Sequence, residues 1–248
     1  MFLKLTIAYE GTAYAGWQTQ KVGLGVQQVI EEALEKIFGI PLRLHSSSRT
    51  DTGVHARGMV AHLEVPDERW KMTIRKFPLA VNAMLPEDIR VMAAVRAPDG
   101  FHARFAALSK EYRYYVWNHF AMDPLRRQVA WLVPSSLDLA AMKQAAAVCQ
   151  GTHDFAAFAG RRDYEMKTTV RTLHQFSFTK SGPLITFRLV GDGFLYKMCR
   201  GLVGTVIQVG QGKVAAEQMI EIISSRDRTL AGMTAPAHGL VLWRVNYR

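Results

Sequence analysis

The chain has 248 residues, 49% of them hydrophobic, which is ample for one or two packed domains and excludes a disordered tail or linker. Its 31 Lys and Arg against 21 Asp and Glu give a formal net charge of +10, spread along the sequence, a balance suited to a phosphate-rich partner. Cys149 and Cys199 lie too far apart for a zinc or disulfide framework, the start lacks the features of a secretion signal, and no apolar run is long enough to span a bilayer, so a cytoplasmic protein with core thiols and no membrane partner is expected.

Residues 2–9 read as a strand in which Leu3, Leu5, Ile7 and Tyr9 share one face. The glycine-bearing stretch Gly11 to Gly16 then breaks into a loop. From Val26 to Phe38 the apolar residues recur at helical spacing, with Glu31, Glu32, Glu35 and Lys36 opposite, and Gly39 and Pro41 stop the helix. A short strand is expected over Leu42 to His45 and another over Met59 to Val65, so Asp51 falls in a loop between two sheet elements. Val91 to Val95 alternates as a strand and leads through Asp99–Phe105 to a further strand, Glu111 to Asn118. In that strand Tyr112, Tyr114 and Val116 face one way, and Arg113, Tyr115 and Trp117 the other.

Leu139 to Cys149 is alanine-rich and helical, and His174–Thr179 with Leu184–Leu189 forms a hairpin around Lys180-Ser181-Gly182-Pro183. Over Phe194 to Val209 an apolar stripe predicts a helix with Lys197, Arg200, Gly201 and Gly204 off the stripe, presenting cations on one side. The bare backbone at Gly201 and Gly204 predicts that another segment packs closely there. Strands and helices are mixed without the regular alternation of a doubly wound sheet, so the fold class is α+β. The region near residues 96–110 is the expected divide, giving halves 1–105 and 106–248.

The stretch from Ser48 to Gly58 puts one carboxylate, Asp51, in a polar turn flanked by Arg49 and Arg57. Opposite charge favours the ionised form, which makes Asp51 a candidate nucleophile or base. Asp51-Thr52-Gly53 is also the triplet of aspartic proteases. That chemistry needs a second aspartate sharing one proton, and the chain has no second such triplet. His45, Asp51, His55 and His62 include zinc-type ligands, but their spacing matches no established pattern and the adjacent arginines repel a cation, so no metal is expected. The run Ser46-Ser47-Ser48 lacks the Gly-x-Ser-x-Gly of a nucleophile elbow. Lys110-Glu111-Tyr112-Arg113-Tyr114-Tyr115 interleaves cations with aromatics, as stacking on an unpaired base while gripping phosphate requires. From these residues the chain is a basic RNA-binding protein with a candidate aspartate site. A non-catalytic tRNA-binding protein is the alternative, although such a protein has no use for a carboxylate that repels phosphate.

Taken together, Tyr14-Ala15-Gly16-Trp17-Gln18-Thr19-Gln20, Arg49-Thr50-Asp51-Thr52-Gly53-Val54-His55-Ala56, Phe101-His102-Ala103-Arg104-Phe105, Tyr112-Arg113-Tyr114, Gly193 to Arg200 and Pro236-Ala237-His238-Gly239-Leu240 carry a resemblance that runs nearly end to end. In their order and spacing the chain resembles the tRNA pseudouridine synthase A (TruA) family. The resemblance implies two similar α+β halves with a mixed, largely antiparallel sheet and a central basic cleft. It implies a homodimer that isomerises uridines 38, 39 and 40 in the anticodon stem-loop of tRNA, with no cofactor and no catalytic metal. By the same resemblance Asp51 is catalytic, Arg200 is its ion-pair partner, Tyr112 contacts the uracil and Arg49 helps hold the displaced nucleotide. His55, Arg104 and Lys197, within the matching motifs, are further candidate substrate contacts. Cys199 stands where the family commonly has valine, a small exchange, and many relatives carry a longer basic tail.

Overall fold

The computed structural model describes residues 1–160 and 168–248. The chain forms two compact units, Met1–Leu108 with Val241–Arg248, and Ser109–Leu240. The first half thus extends slightly past residue 105. The final residues rejoin it because the last strand pairs with one near the start of the chain, a return that local patterning does not register.

In chain order the first unit supplies β1 (Phe2–Tyr9), α1 (Val26–Phe38), β2 (His45–Ser46), β3 (His55–Glu64), α2 (Phe77–Asn82) and β4 (Ile89–Arg96). The second supplies β5 (Ser109–Trp117), β6 (Trp131–Leu132), α3 (Leu139–Val148), β7 (Gly151–Asp154), β8 (Val170–Ser181), β9 (Leu184–Gly191), α4 (Met198–Gly210) and α5 (Gln218–Ser225). The chain then returns to the first unit in β10 (Leu240–Asn246).

In the first unit the strand order is β4-β1-β3-β10, with β2 also on β3. Only the β3–β10 pair is parallel, in the register Val241 to His55 and Leu242 to Ala56. Leu3, Leu5 and Ile7 of β1 are fully buried, as the alternation requires, and Ile30, Leu34 and Phe38 of α1 are buried as well. Replacing Leu5 with alanine would remove buried methyl groups and leave a cavity, a loss of about 2–5 kcal/mol. β3 is buried along nearly its whole length because strands flank it on both sides. It starts at His55, earlier than the expected Met59, since β10 pairs with its first residues.

The expected strand over Leu42 to His45 shrinks to His45–Ser46 for a definable reason. The Leu44 N–H donates to the Glu31 carboxylate at 2.9 Å and the Leu44 carbonyl accepts from the Gln27 amide at 3.1 Å, so side chains of α1 satisfy this backbone in place of a ladder partner.

In the second unit β5-β9-β8-β7 is wholly antiparallel, with β6 parallel to the edge of β5. Tyr112, Tyr114 and Val116 are buried, while Arg113, Tyr115 and Trp117 are half-buried on the opposite face. The hairpin turn places Gly182 at φ +55°, where glycine carries no Cβ penalty. Helix α4 departs from expectation. It begins at Met198 because Lys197 is left-handed at φ +62°, and almost all of it is buried, with no solvated cationic side. The fold is α+β with largely antiparallel sheets, in two halves. Among the described residues no helix is long and apolar enough to cross a membrane.

Candidate active site

Asp51 lies half-buried in the loop between β2 and β3, and its position follows from backbone contacts with the loop after β1. Trp17 N–H donates to the Thr50 carbonyl at 3.2 Å, Gly53 N–H to the Tyr14 carbonyl at 3.3 Å, and Val54 N–H closes the turn on the Asp51 carbonyl at 3.1 Å. Gly16, at φ +94°, makes this approach possible, since a Cβ there would stand 2.5 Å from the Thr50 oxygen. The Tyr9 hydroxyl bonds the Thr50 side chain at 2.8 Å in a buried site. The same loop feeds α1, whose first turn lacks a side-chain cap. Val26 and Gln27 N–H groups donate instead to the carbonyls of Gly16 and Trp17.

His55 is 4% exposed, and its Nδ1 accepts the Gly11 N–H at 2.9 Å with the Glu10 carboxylate 3.5 Å away, so it anchors the start of that loop. Arg49 is exposed beside Asp51 in the chain. Arg57, expected to flank the carboxylate, lies with its guanidinium 4.2 Å from the centre of the Trp243 ring. Ser48 is buried, and its hydroxyl has no hydrogen-bond partner among the described residues.

Arg104 is exposed with its guanidinium 5.6 Å from the Phe105 ring. Next to it Ala103 is fully buried and held from both sides, its N–H by His62 Nδ1 at 3.1 Å and its carbonyl by the Tyr247 hydroxyl at 2.6 Å. The nitrogens of His45, His62 and His102 come within 4.8 Å of one another, so His102 joins two of the four residues weighed as metal ligands, and Asp51 and His55 are not in the trio. The Nδ1 atoms of His62 and His102 each accept a backbone N–H, from Ala103 and Arg104 respectively. A neutral imidazole accepting at one nitrogen carries its proton on the other, which leaves no lone pair for a metal. Burial, with His102 and His45 nearby, holds His62 down at about 4, so it stays a neutral acceptor at pH 7.

In the second unit Tyr112 is 7% exposed and packs edge-on to Phe194 at 5.0 Å. On the other face of β5 the Glu111 carboxylate is fully buried and receives Arg113 Nε at 2.9 Å and Arg188 at 3.0 Å. Arg200, in the first turn of α4, donates through Nε to the Ala235 carbonyl at 2.7 Å and accepts the Ala235 N–H at its own carbonyl at 3.0 Å. The segment from Gly232 to Gly239 is the strap anticipated beside Gly204, whereas a Cβ at Gly201 would stand 3.0 Å from the Phe158 carbonyl oxygen. A Cβ at Gly204 would stand 1.9 Å from the Met233 carbonyl oxygen, and one at Gly239 would stand 2.5 Å from the Tyr114 ring. Tyr114, beneath it, donates to the Pro236 carbonyl at 2.8 Å. Burial pushes its hydroxyl far above the usual range, opposed in part by the Arg200 charge. Lys197, in its left-handed conformation, lies against Gly160 with its ammonium 5.0 Å from the Tyr196 ring. Cys149 and Cys199 are both buried and neither is in a disulfide, and burial pushes Cys149 up to about 12.

The expected residues thus sit on two kinds of support. Asp51, Arg49 and Arg104 belong to clamped loops of the first unit and His55 to the start of β3, while Tyr112 lies on β5 and Lys197 and Arg200 at the start of α4 in the second. Sequence reading missed the buried Glu111 pair, the His62–Ala103–Tyr247 clamp and the Tyr9–Thr50 bond. Only Glu111 carried a signal, as the one acid in a run of cations and aromatics.

Two α+β halves with an aspartate turn clamped in one of them suit an enzyme that acts on RNA. A family model described as tRNA pseudouridine synthase matches residues 5–106 and 145–248, and the chain belongs to that family. It is 44% identical to "tRNA pseudouridine synthase A" of an Exiguobacterium species, over 99% of this chain and 97% of that one. Proteins of the same name from Geobacillus kaustophilus and a Geobacter species are 43% and 44% identical, over 99% of this chain and 94% and 98% of theirs.

Proposed function

We propose that this protein converts uridine to pseudouridine at positions 38, 39 and 40 of the tRNA anticodon stem-loop, with Asp51 as the catalytic carboxylate. Family membership supports the isomerase activity on tRNA. The observation that carries the residue assignment is the Asp51 turn, a half-buried carboxylate whose neighbours are fixed through their backbone by the loop after β1.

The reaction breaks the bond from uracil N1 to ribose C1′ and makes one from C5 to C1′. The hydrogen on C5 is lost and N1 gains one, so nothing is consumed. The detached base must be retained, which calls for a site that grips it on its flat faces. The target uridine is turned out of the stem at a cost of a few kcal/mol, offset by contacts to the flipped nucleotide and its phosphates. Tyr112 stacks on the freed base, an interaction of about 1–3 kcal/mol. Arg49, Arg104 and Lys197 grip the displaced nucleotide and its phosphates, and His55 acts by holding the loop that supports Asp51. Asp51 attacks uracil C6 or ribose C1′, or removes the 2′-proton, and each route starts from the ionised form. Arg200 pairs with it to favour that form. The working protein is a cytoplasmic homodimer.

The test is to incubate the protein with an unmodified tRNA transcript and map pseudouridine. Wild-type protein is expected to modify positions 38–40. Asp51→Asn is expected to bind tRNA as tightly as wild type and to make no product, since the amide keeps the shape and loses the charge. Product from Asp51→Asn would end the assignment. Binding without product from the wild type would favour the non-catalytic reading.

A further inference from the structure

Strand β10 runs parallel to β3 and carries Tyr247 just beyond its end. The Tyr247 ring lies 5.2 Å from Phe101, and the Lys4 ammonium stands 5.4 Å from the Tyr247 ring and 5.6 Å from Phe101. Those contacts account for the ring. They do not account for the hydroxyl, which donates to the Ala103 carbonyl at 2.6 Å and is also hydrogen-bonded with the Ser47 side chain.

We propose that Tyr247 is a positioning residue for the isomerisation: its hydroxyl ties the Phe101–Phe105 loop to the Ser46–Thr50 segment and thereby holds the Asp51 turn in its working place. The inference rests on the reading of Asp51 as the catalytic carboxylate. Each tied segment contains or adjoins a candidate site residue, Arg104 next to Ala103 and Asp51 just after Thr50. Ala103 is fully buried and Ser47 is 1% exposed, so losing the bond would leave buried polar groups without it. Ala103 is also gripped through its N–H by His62, so it can move neither along nor across the loop while both bonds hold. Upstream of Asp51, the Ser47 N–H donates to the Val60 carbonyl of β3 and the Tyr9 hydroxyl meets Thr50. Tyr247 adds a side-chain link from that stretch to the Arg104 loop. Burial pushes its hydroxyl far above the ordinary range, so it remains a donor at any assay pH.

The test is Tyr247→Phe, which keeps the ring and removes the bond. It is expected to lower kcat about tenfold with KM and tRNA affinity within twofold of wild type, because a turn displaced by a fraction of an ångström loses rate before it loses binding. Ser47→Ala is expected to lower kcat similarly, and the double variant no further, since both act through one link. Hydrogen exchange of segments 47–53 and 101–106 is expected to quicken in Tyr247→Phe. Wild-type kcat in Tyr247→Phe, multiplicative losses in the double variant, or unchanged exchange in those segments would each overturn the inference. Inactivity of the wild type would instead sink the reading on which it rests. Exchange is measured without turnover, so the two failures are distinguishable.

Discussion

Gly16→Ala tests the claim that backbone packing places the Asp51 turn. At φ +94° an alanine is strained by about 1–3 kcal/mol. Its Cβ would also stand 2.5 Å from the Thr50 carbonyl oxygen and 3.1 Å from the Asp51 carbonyl carbon, both backbone atoms that cannot swing aside. Relief requires the two loops to part, and that breaks the hydrogen bond from Trp17 N–H to Thr50, worth about 1 kcal/mol. The sum is about 2–4 kcal/mol, less than the 5–15 kcal/mol that holds a typical domain folded. The variant should therefore fold, with a melting temperature lowered by roughly 5–15 °C. Moving the Asp51 turn by about 1 Å is expected to cost on the order of a hundredfold in kcat. The assay is single-turnover pseudouridine formation on a tRNA transcript well below the variant's melting temperature, alongside thermal unfolding by circular dichroism. A destabilised variant with wild-type kcat would refute the reasoning, because the turn would then have kept its place without the glycine.

Two further predictions concern charge. Glu111→Ala removes the carboxylate between Arg113 and Arg188 and leaves two guanidinium groups facing each other. It is expected to cost about 2–4 kcal/mol in urea unfolding, and a loss below about 0.5 kcal/mol would show that the arginines simply turn to solvent. His62 is held down at about 4 in the folded state against its ordinary 6.5, so the unfolded chain binds the extra proton first. Its contribution is complete above pH 6.5 and is lost as pH falls from there toward 4, an effect on the order of 1–3 kcal/mol. His62→Asn, which retains an acceptor for the Ala103 N–H, should flatten the dependence of melting temperature on pH between 4 and 6.5. Equal slopes for variant and wild type would refute that account.

The sequence made the regular parts of the fold legible where one periodicity dominated. The alternation in Leu3, Leu5 and Ile7 and the stripe on α1 each answer to a single buried face, so β1, α1 and the β8–β9 hairpin could be read locally. The reading lost accuracy where a partner distant in sequence decides. The strand before Asp51 is shortened by Gln27 and Glu31 of α1, β3 is lengthened by the arrival of β10, and α4 is delayed by a left-handed Lys197. The candidate site follows the same division. Asp51, Tyr112 and Arg200 stood out through residue type and motif, whereas nothing in their local context marked Tyr9, Gly16, His62 and Tyr247 as supports of the Asp51 and Arg104 loops.

That division has a physical basis. A residue that does chemistry must be of a particular type, so it leaves a mark in composition and spacing. A residue that holds it need only offer one donor, one acceptor or one missing Cβ at the right point. Tyr247 reaches Ala103 across 144 residues of sequence, and Gly16 yields to Thr50 by having no side chain at all. Rigid support by backbone bonds also suits the proposed reaction, in which the base is detached and rejoined, because the carboxylate in its proposed role would serve the start and the end of that reaction from one position. The supporting residues should therefore show their effect in kcat more than in tRNA affinity, the opposite of what is expected for exposed cations such as Arg49 and Arg104, whose loss weakens phosphate contact and the salt dependence of binding.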